Sequence, residues 1–550
     1  MRSDLVALRG LVAERLDKRL GAGHIRAIVG ATGISARLPA GVGPRGGARV
    51  RHLIRTTSLS LGPLRLSVRA SVSVSVSVTP KAERSSRQLL VRQRMAVASL
   101  VLVAALVGVF VGLVVANGSN IGSRNGQARV GTVALPPLVR YTGRPPTGYV
   151  VTFSYRAPSA RSVLIQGEWY FSNPTLTTAI SSQGLLPSQW KSGDVATGWP
   201  APSTPDGWPI VSMNKNPNTG VWSYATPLPS GYYNYGFYVG CSLSTALSNP
   251  SETVGCHDPE VSDPSNPPWN DRRGVSTGSV DGRSQVYVPA DPAFDKVNDS
   301  WEAPTSPMGQ LRDVSYRPVA GASAPGRKNV NFLAIYTPPG YDAHRRTPYP
   351  TLYLSPGAGL NEVDWSTQGD AANIVDNLID RHRIKPTVVV MTNTDCPAGP
   401  KVCGATITPK AYERDVLRAV IPYVQAHYDV SREPSKRAFA GFSAGGWAAG
   451  SLLVDDTTAF GSYGLFSPCP EAVPTPRAAA VAAMSRVRVL VGGGLEDPMC
   501  HPFAVDDLAV LQRGHVGAVS EFFYGGHSFD VWRRLLRDFL TRVAFKAGRG

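Results

Sequence analysis

No cysteine occurs before residue 241, and no CxxC occurs anywhere in the 550 residues. The missing CxxC removes the commonest chelating spacing for structural zinc, and the adjacent pairs Cys256-His257 and Cys500-His501 are poor chelates. Acidic residues are scarce at the N-terminus. Residues 1–94 hold 18 Lys/Arg against 4 Asp/Glu, a net of +14. The whole chain carries +17, which leaves +3 for the other 456 residues. The part rich enough in apolar residues to fold is therefore close to neutral, and a nucleic-acid partner is not expected. Charge is absent altogether from one run, residues 95–116. At 43% hydrophobic residues the chain is not wholly disordered.

Residues 1–94 read as a basic, disordered N-terminal segment, despite the alternating run Ser71–Val78, because nothing else there supplies a core. A true start near Val91 or Met95 is the second reading. Residues 95–116 come directly after Arg92 and Arg94 and are long enough to span a bilayer. They are a transmembrane anchor or a signal peptide ending at Val114-Val-Ala116. Either reading exports the chain from residue 117 onward, to the outer side of the membrane or into the medium. The six cysteines, all after residue 240, then meet an oxidising compartment. The expected disulfides are Cys241–Cys256, Cys396–Cys403 and Cys469–Cys500.

Residues 117–145 form a linker. From 146 to 290, short strands such as YVVTFSY, SVLIQGEW and YYNYGFYVG alternate with turn signals, which predicts a small all-β sandwich. Six of the ten tryptophans lie there: Trp169, Trp190, Trp199, Trp208, Trp222 and Trp269. They either fill the core of that domain or form a carbohydrate platform, and core filling is the preferred reading. Residues 291–550 change texture from about 328 onward. Near-continuous apolar strands alternate with helices at 370–382, 411–428 and 529–545, which predicts an α/β domain with a mostly parallel sheet covered on both faces.

Two stretches match G-x-S-x-G. Gly274-Val-Ser276-Thr-Gly278 sits in a loop rich in Pro, Asp and Arg. Gly441-Phe-Ser443-Ala-Gly445 instead comes after the strand KRAFAG and precedes a helical start, the context that exposes a nucleophilic hydroxyl. A serine needs a base. Of the three histidines beyond Ser443, His527 alone comes directly after the last strand and before the last helix, where it can face the nucleophile. The acid belongs after RVRVLVGGG, where Glu496 and Asp497 are adjacent. Asp497 is preferred and Glu496 is the alternative. The oxyanion donors expected are the N–H of Ala444 and that of Ala358 in the loop Pro356-Gly357-Ala358-Gly359, since Pro356 has no N–H. Trp365 and Trp447 are candidate substrate contacts.

The stretches YTPPGYD at 336–342, NEVDW at 361–365, GDAANIVDNLID at 369–380, GFSAGG at 441–446 and GGHSFDVW at 525–532 resemble the esterase-D-like and enterochelin-esterase-like branch of the α/β hydrolases. That branch includes feruloyl and acetylxylan esterases. Residues 146–290 resemble the immunoglobulin-like domain that often precedes them. The resemblance implies the triad Ser443, Asp497 and His527, with no metal and no cofactor. It implies a small-molecule or polysaccharide-linked ester as substrate, or a siderophore ester. The family usually has His-Gly where this chain has Pro356-Gly357. Competing expectations are an acyltransferase of the mycolyltransferase type and a non-catalytic cell-surface binding module.

Overall fold

The computed structural model describes residues 136–175, 184–197, 209–241, 260–267, 283–324, 328–394, 409–469 and 482–546, together with the backbone of four short strands between 49 and 75. The 95–116 run, the 274–278 motif, Trp199, Trp208, Trp269, Cys256, Cys396 and Cys403 lie outside these residues. Among the described residues no helix is long and apolar enough to cross a membrane.

The chain divides into two compact units, residues 1–122 and 123–550. In the first, Arg49–His52 pairs with Val72–Ser75 and Thr57–Leu61 with Leu64–Val68, both antiparallel. Composition alone predicts no paired backbone in this segment.

The second unit begins with two four-stranded antiparallel sheets. One orders Ile210–Ser212, Val163–Gly167, Gly231–Val239 and Ser284–Val288. The other orders Asn214–Lys215, Val221–Pro227, Tyr149–Arg156 and Leu138–Tyr141. The last of these strands lies in the stretch expected to be linker. Inward residues of both sheets form one core, where Phe153 meets Tyr235 at 4.7 Å and Tyr155 meets Phe237 at 4.9 Å between ring centres. Trp169, Trp190 and Trp222 are buried in that core. For these three, core filling excludes a role in an exposed carbohydrate platform.

An eight-stranded sheet comes next. Its strands are β1 (Gln310–Tyr316), β2 (Asn331–Thr337), β3 (Thr351–Ser355), β4 (Val388–Met391), β5 (Arg437–Phe442), β6 (Ser462–Phe466), β7 (Arg488–Gly494) and β8 (Ala518–Phe523). They lie in the order β1-β2-β4-β3-β5-β6-β7-β8. The pairs from β4 to β8 are parallel, whereas β1·β2 and β2·β4 are antiparallel, so the sheet is mixed. Successive strand residues point to opposite faces. Leu333, Ile335 and Val390 join one core cluster and Ala334, Tyr336 and Met391 the other. Helices cover both faces, which is why the strands read as unbroken apolar runs. The first face is packed by Ile421–His427 (α1), Ala444–Asp455 (α2) and His501–Arg513 (α3), and the second by Ala371–Asp380 and Phe529–Asp538 (α4).

Candidate active site

Strand β5 ends at Phe442 and α2 begins at Ala444, so Ser443 alone makes the turn between them. Its φ of 55° and ψ of −121° lie where a residue with a Cβ is strained, at a cost of about 1–3 kcal/mol. The turn is held from three sides. Ser443 N–H donates to Phe466 O at 3.0 Å, and Ser443 O accepts from Trp447 N–H at 3.0 Å and from Cys469 N–H at 3.2 Å. The two flanking glycines are a packing necessity. A Cβ on Gly441 would lie 2.7 Å from the Gly445 carbonyl carbon, and one on Gly445 would lie 2.8 Å from Ser355 O and closer still to Pro356 O. The motif is thus the set of residues that lets β3, the turn and α2 share one space.

Asp497 stands just past β7 and His527 just past β8, both at the carboxyl edge of the sheet, as Ser443 is. Asp497 is fully buried. Its Oδ2 meets His527 Nδ1 at 2.7 Å, and its Oδ1 accepts the N–H groups of Met499 at 3.1 Å and Cys500 at 2.9 Å. A carboxylate fixed in this way requires the proton on Nδ1, which leaves the Nε2 lone pair to receive another. Glu496 is also buried, but the carboxylate that reaches His527 is that of Asp497. The indole of Trp532, in α4, supports both halves of the site. It stacks on Phe442 at 3.9 Å, meets the His527 ring edge-on at 4.9 Å, and donates Nε1–H to Ser467 Oγ at 3.1 Å.

Ala444 opens α2 and is half-buried, so its N–H is one of the helix donors that have no partner within the helix. Ala358 lies exposed on the turn after β3. The loop residue that lies against the nucleophile is Gly357. A Cβ built on it would stand 3.4 Å from Ser443 Cβ and 2.8 Å from the Phe442 ring. Sequence reasoning weighs only which residue has an N–H. The missing Cβ at 357, beside a turn that needs close approach, is the available signal.

Trp365 is not a substrate contact. It is fully buried, donates Nε1–H to Ser355 O at 2.9 Å, and packs on Phe442 and Phe529. An indole enclosed by core rings cannot touch a bound ligand. Trp447 is half-buried in the first turn of α2, one turn beyond Ser443.

Cys469 and Cys500 form a disulfide, and Cys241 is also disulfide-bonded. One trio, Asp497, Cys500 and His527, places ligand atoms within 4.8 Å of one another. The Cys500 sulfur is taken up in the disulfide, and the other two groups are bonded to each other. The trio therefore lacks a thiolate for a metal.

The β-sandwich supports the histidine loop from outside. Gly526 N–H donates to Thr197 O at 2.5 Å, while Gly525 O accepts from Glu496 N–H at 2.9 Å. Further on, the buried Arg533 of α4 donates Nε–H to Glu302 Oε1 at 2.8 Å, Nη1–H to Gln368 O at 2.9 Å and Nη2–H to Tyr232 O at 3.1 Å. Burial pushes the Glu302 carboxyl up to about 7, although Arg533 pulls it down. Sequence reasoning finds none of these contacts. Their partners lie up to 329 residues away (526 − 197), and no spacing rule spans that distance.

Residues 326–543 match the family model described as "Putative esterase". An endo-1,4-beta-xylanase/feruloyl esterase of Xylanibacter ruminicola is 32% identical over 222 residues, which is 38% of this chain and 29% of that protein. The chain thus corresponds to under a third of this curated relative's length. Among solved structures, a ferulic acid esterase of Anaeromyces mucronatus is 16% identical with a TM-score of 0.40, covering 45% of this chain and 96% of its own. The enterobactin esterase of Shigella flexneri is 16% identical with a TM-score of 0.44, covering 76% and 96%.

Proposed function

We propose that this chain, whose residues 326–543 match the family model described as "Putative esterase", is an exported serine carboxylic-ester hydrolase that works through an acyl-enzyme. The observation that carries the reading is the Asp497–His527 bond of 2.7 Å at the same sheet edge as a strained Ser443. Ser443 Oγ attacks the ester carbonyl carbon and its proton passes to His527 Nε2. The oxyanion is met by the Ala444 N–H and by the loop at Gly357 and Ala358. Nε2 then returns the proton to the leaving alcohol, and water repeats the cycle on the acyl-serine. Asp497 holds the imidazole in the required tautomer and stabilises its charge.

Export is supported by the Arg-flanked apolar run 95–116 and by disulfide bonding at Cys241 and at Cys469–Cys500. The substrate class we favour is a carbohydrate-linked ester of an aromatic acid, from the similarity to the Xylanibacter protein. The test is a panel on the purified chain with p-nitrophenyl acetate, methyl ferulate, feruloylated arabinoxylan, acetylated xylan and a cyclic catecholate siderophore. Turnover of the feruloyl esters well above that of the acetyl esters is expected. Preference for acetylated xylan or the siderophore would overturn the substrate class. No turnover of any ester, together with no fluorophosphonate labelling of Ser443, would overturn the reaction class.

A further inference from the structure

We infer that the Cys469–Cys500 disulfide is a positioning brace for all three proposed triad residues, and that its oxidised form is the working one. The inference rests on the assignment of Ser443, Asp497 and His527 above. Its basis is where the bond lies. Cys469 stands just past β6, and its N–H donates to Ser443 O at 3.2 Å. Cys500 is the residue before α3, and its N–H donates to Asp497 Oδ1 at 2.9 Å. Its Sγ lies 3.9 Å from His527 Nε2, the nitrogen that must accept the serine proton. One covalent link between residues 31 apart therefore touches the backbone of the nucleophile, the carboxylate of the acid and the ring of the base. Both half-cystines are buried, so the link belongs to the floor of the site and not to its rim.

The chemistry of sulfur has two consequences here. First, the bond holds the Asp497 loop to the end of β6. Without it, only non-covalent contacts relate the acid loop to the serine turn among the described residues, and small displacements of reacting groups are costly to turnover. Second, a disulfide sulfur carries no proton and no charge, so it leaves the Nε2 lone pair free. A thiol in the same place ionises beside an imidazole and forms a thiolate–imidazolium pair. That pair would occupy the base with the wrong proton. Reduction by a phosphine balances simply. The phosphine becomes its oxide, water supplies the oxygen, and the two hydrogens of water end on Cys469 and Cys500.

Four variants of the full chain test this: Cys469→Ala, Cys500→Ala, the double variant, and Cys241→Ala as a control away from the site. Esterase kinetics and fluorophosphonate labelling of Ser443 are measured on each. Cys500→Ala and the double variant are expected to lose about tenfold or more in kcat with KM within about twofold, as misplacement of reacting groups predicts. Cys469→Ala leaves the Cys500 thiol beside Nε2. It is expected to fall about a further tenfold at both pH 8 and pH 6, because a thiol paired with an imidazole ionises well below its ordinary range. Cys241→Ala is expected to keep wild-type kcat. Wild-type kcat in all three site variants would overturn the brace. Equal losses in Cys469→Ala and Cys500→Ala at both pH values would overturn the claim about the thiol. Failure of the wild type to label at Ser443 would sink the triad assignment itself, a separate result. Should the variants not fold, the folded wild type is treated with the phosphine and Cys469 and Cys500 are mapped by alkylation. Loss of activity in step with alkylation, restored on reoxidation of an unalkylated sample, is expected. Full activity with both thiols alkylated would overturn the inference.

Discussion

Replacing Arg533 by Met removes one partner of a buried ion pair in which both side chains are almost fully enclosed. It also deprives the carbonyls of Gln368 and Tyr232 of their donor. Breaking such a pair from one side costs about 3–5 kcal/mol when the remaining charge stays buried. The charge on Glu302 depends on pH. Its carboxyl is raised from 4.5 to about 7, chiefly by burial. The folded protein therefore binds this proton more tightly than the unfolded chain does. The stabilisation this provides is full below 4.5 and is lost as pH rises to about 7, an amount of about 3 kcal/mol. Below pH 7 the wild type holds Glu302 largely neutral, and Arg533→Met then forfeits mainly hydrogen bonds, about 1–3 kcal/mol. Above pH 7 it must either bury a lone carboxylate or protonate it. Asp370 and Asp530 are also raised by burial and also lose the attraction of Arg533, so they act in the same sense. The variant should be destabilised by about 1–3 kcal/mol at pH 5.5 and by about 3–5 kcal/mol at pH 8.5. Urea unfolding followed by tryptophan fluorescence at the two pH values measures this. A cost that is equal at both, or larger in acid, would refute the reasoning.

Ser443→Ala and His527→Ala should each lower kcat about 10⁴-fold or more, with the double variant hardly worse, because nucleophile and base act as a unit. Asp497→Asn should cost less than either, and Glu496→Gln little. A crippled Glu496→Gln with a mild Asp497→Asn would reassign the acid. Gly445→Ala should lose about 1–3 kcal/mol in thermal unfolding, because the new methyl meets the carbonyls of Ser355 and Pro356, and its kcat should fall with the displaced turn. An unchanged melting temperature would show that the loop yields.

The sheet is legible in the sequence where burial on both faces writes continuous apolar runs, as in β3 to β7. It is illegible at β1, an edge strand whose residues are exposed or half-buried up to the buried Tyr316 and include Arg312 and Asp313. The serine turn can be read because close packing demands glycine at both flanks, and that demand is local. Gly357 escapes notice because its neighbour, Ser443, is 86 residues away in sequence. Trp365 misleads for a related reason. The stretch NEVDW says nothing about which side of the chain meets solvent, and here the indole is enclosed by rings from β5 and α4. The contacts of Thr197 and Arg533 depend on how the sandwich and the eight-stranded sheet meet, which neither composition nor periodicity encodes.

The hydrogen bond from Gly526 to Thr197 bears on how such a gene can be rearranged. The residue before His527 takes its outer support from a chain segment encoded some 330 codons upstream, and α4 takes part of its anchorage from Tyr232 of the same domain. A recombination event that delivered the eight-stranded half alone would strip the histidine loop of its bond to Thr197 and leave its inner ties to Glu496 and Asp497. Both acceptors are backbone carbonyls, so what a substituted sandwich must preserve for these two bonds is the path of the chain at residues 197 and 232 and not the side chains there.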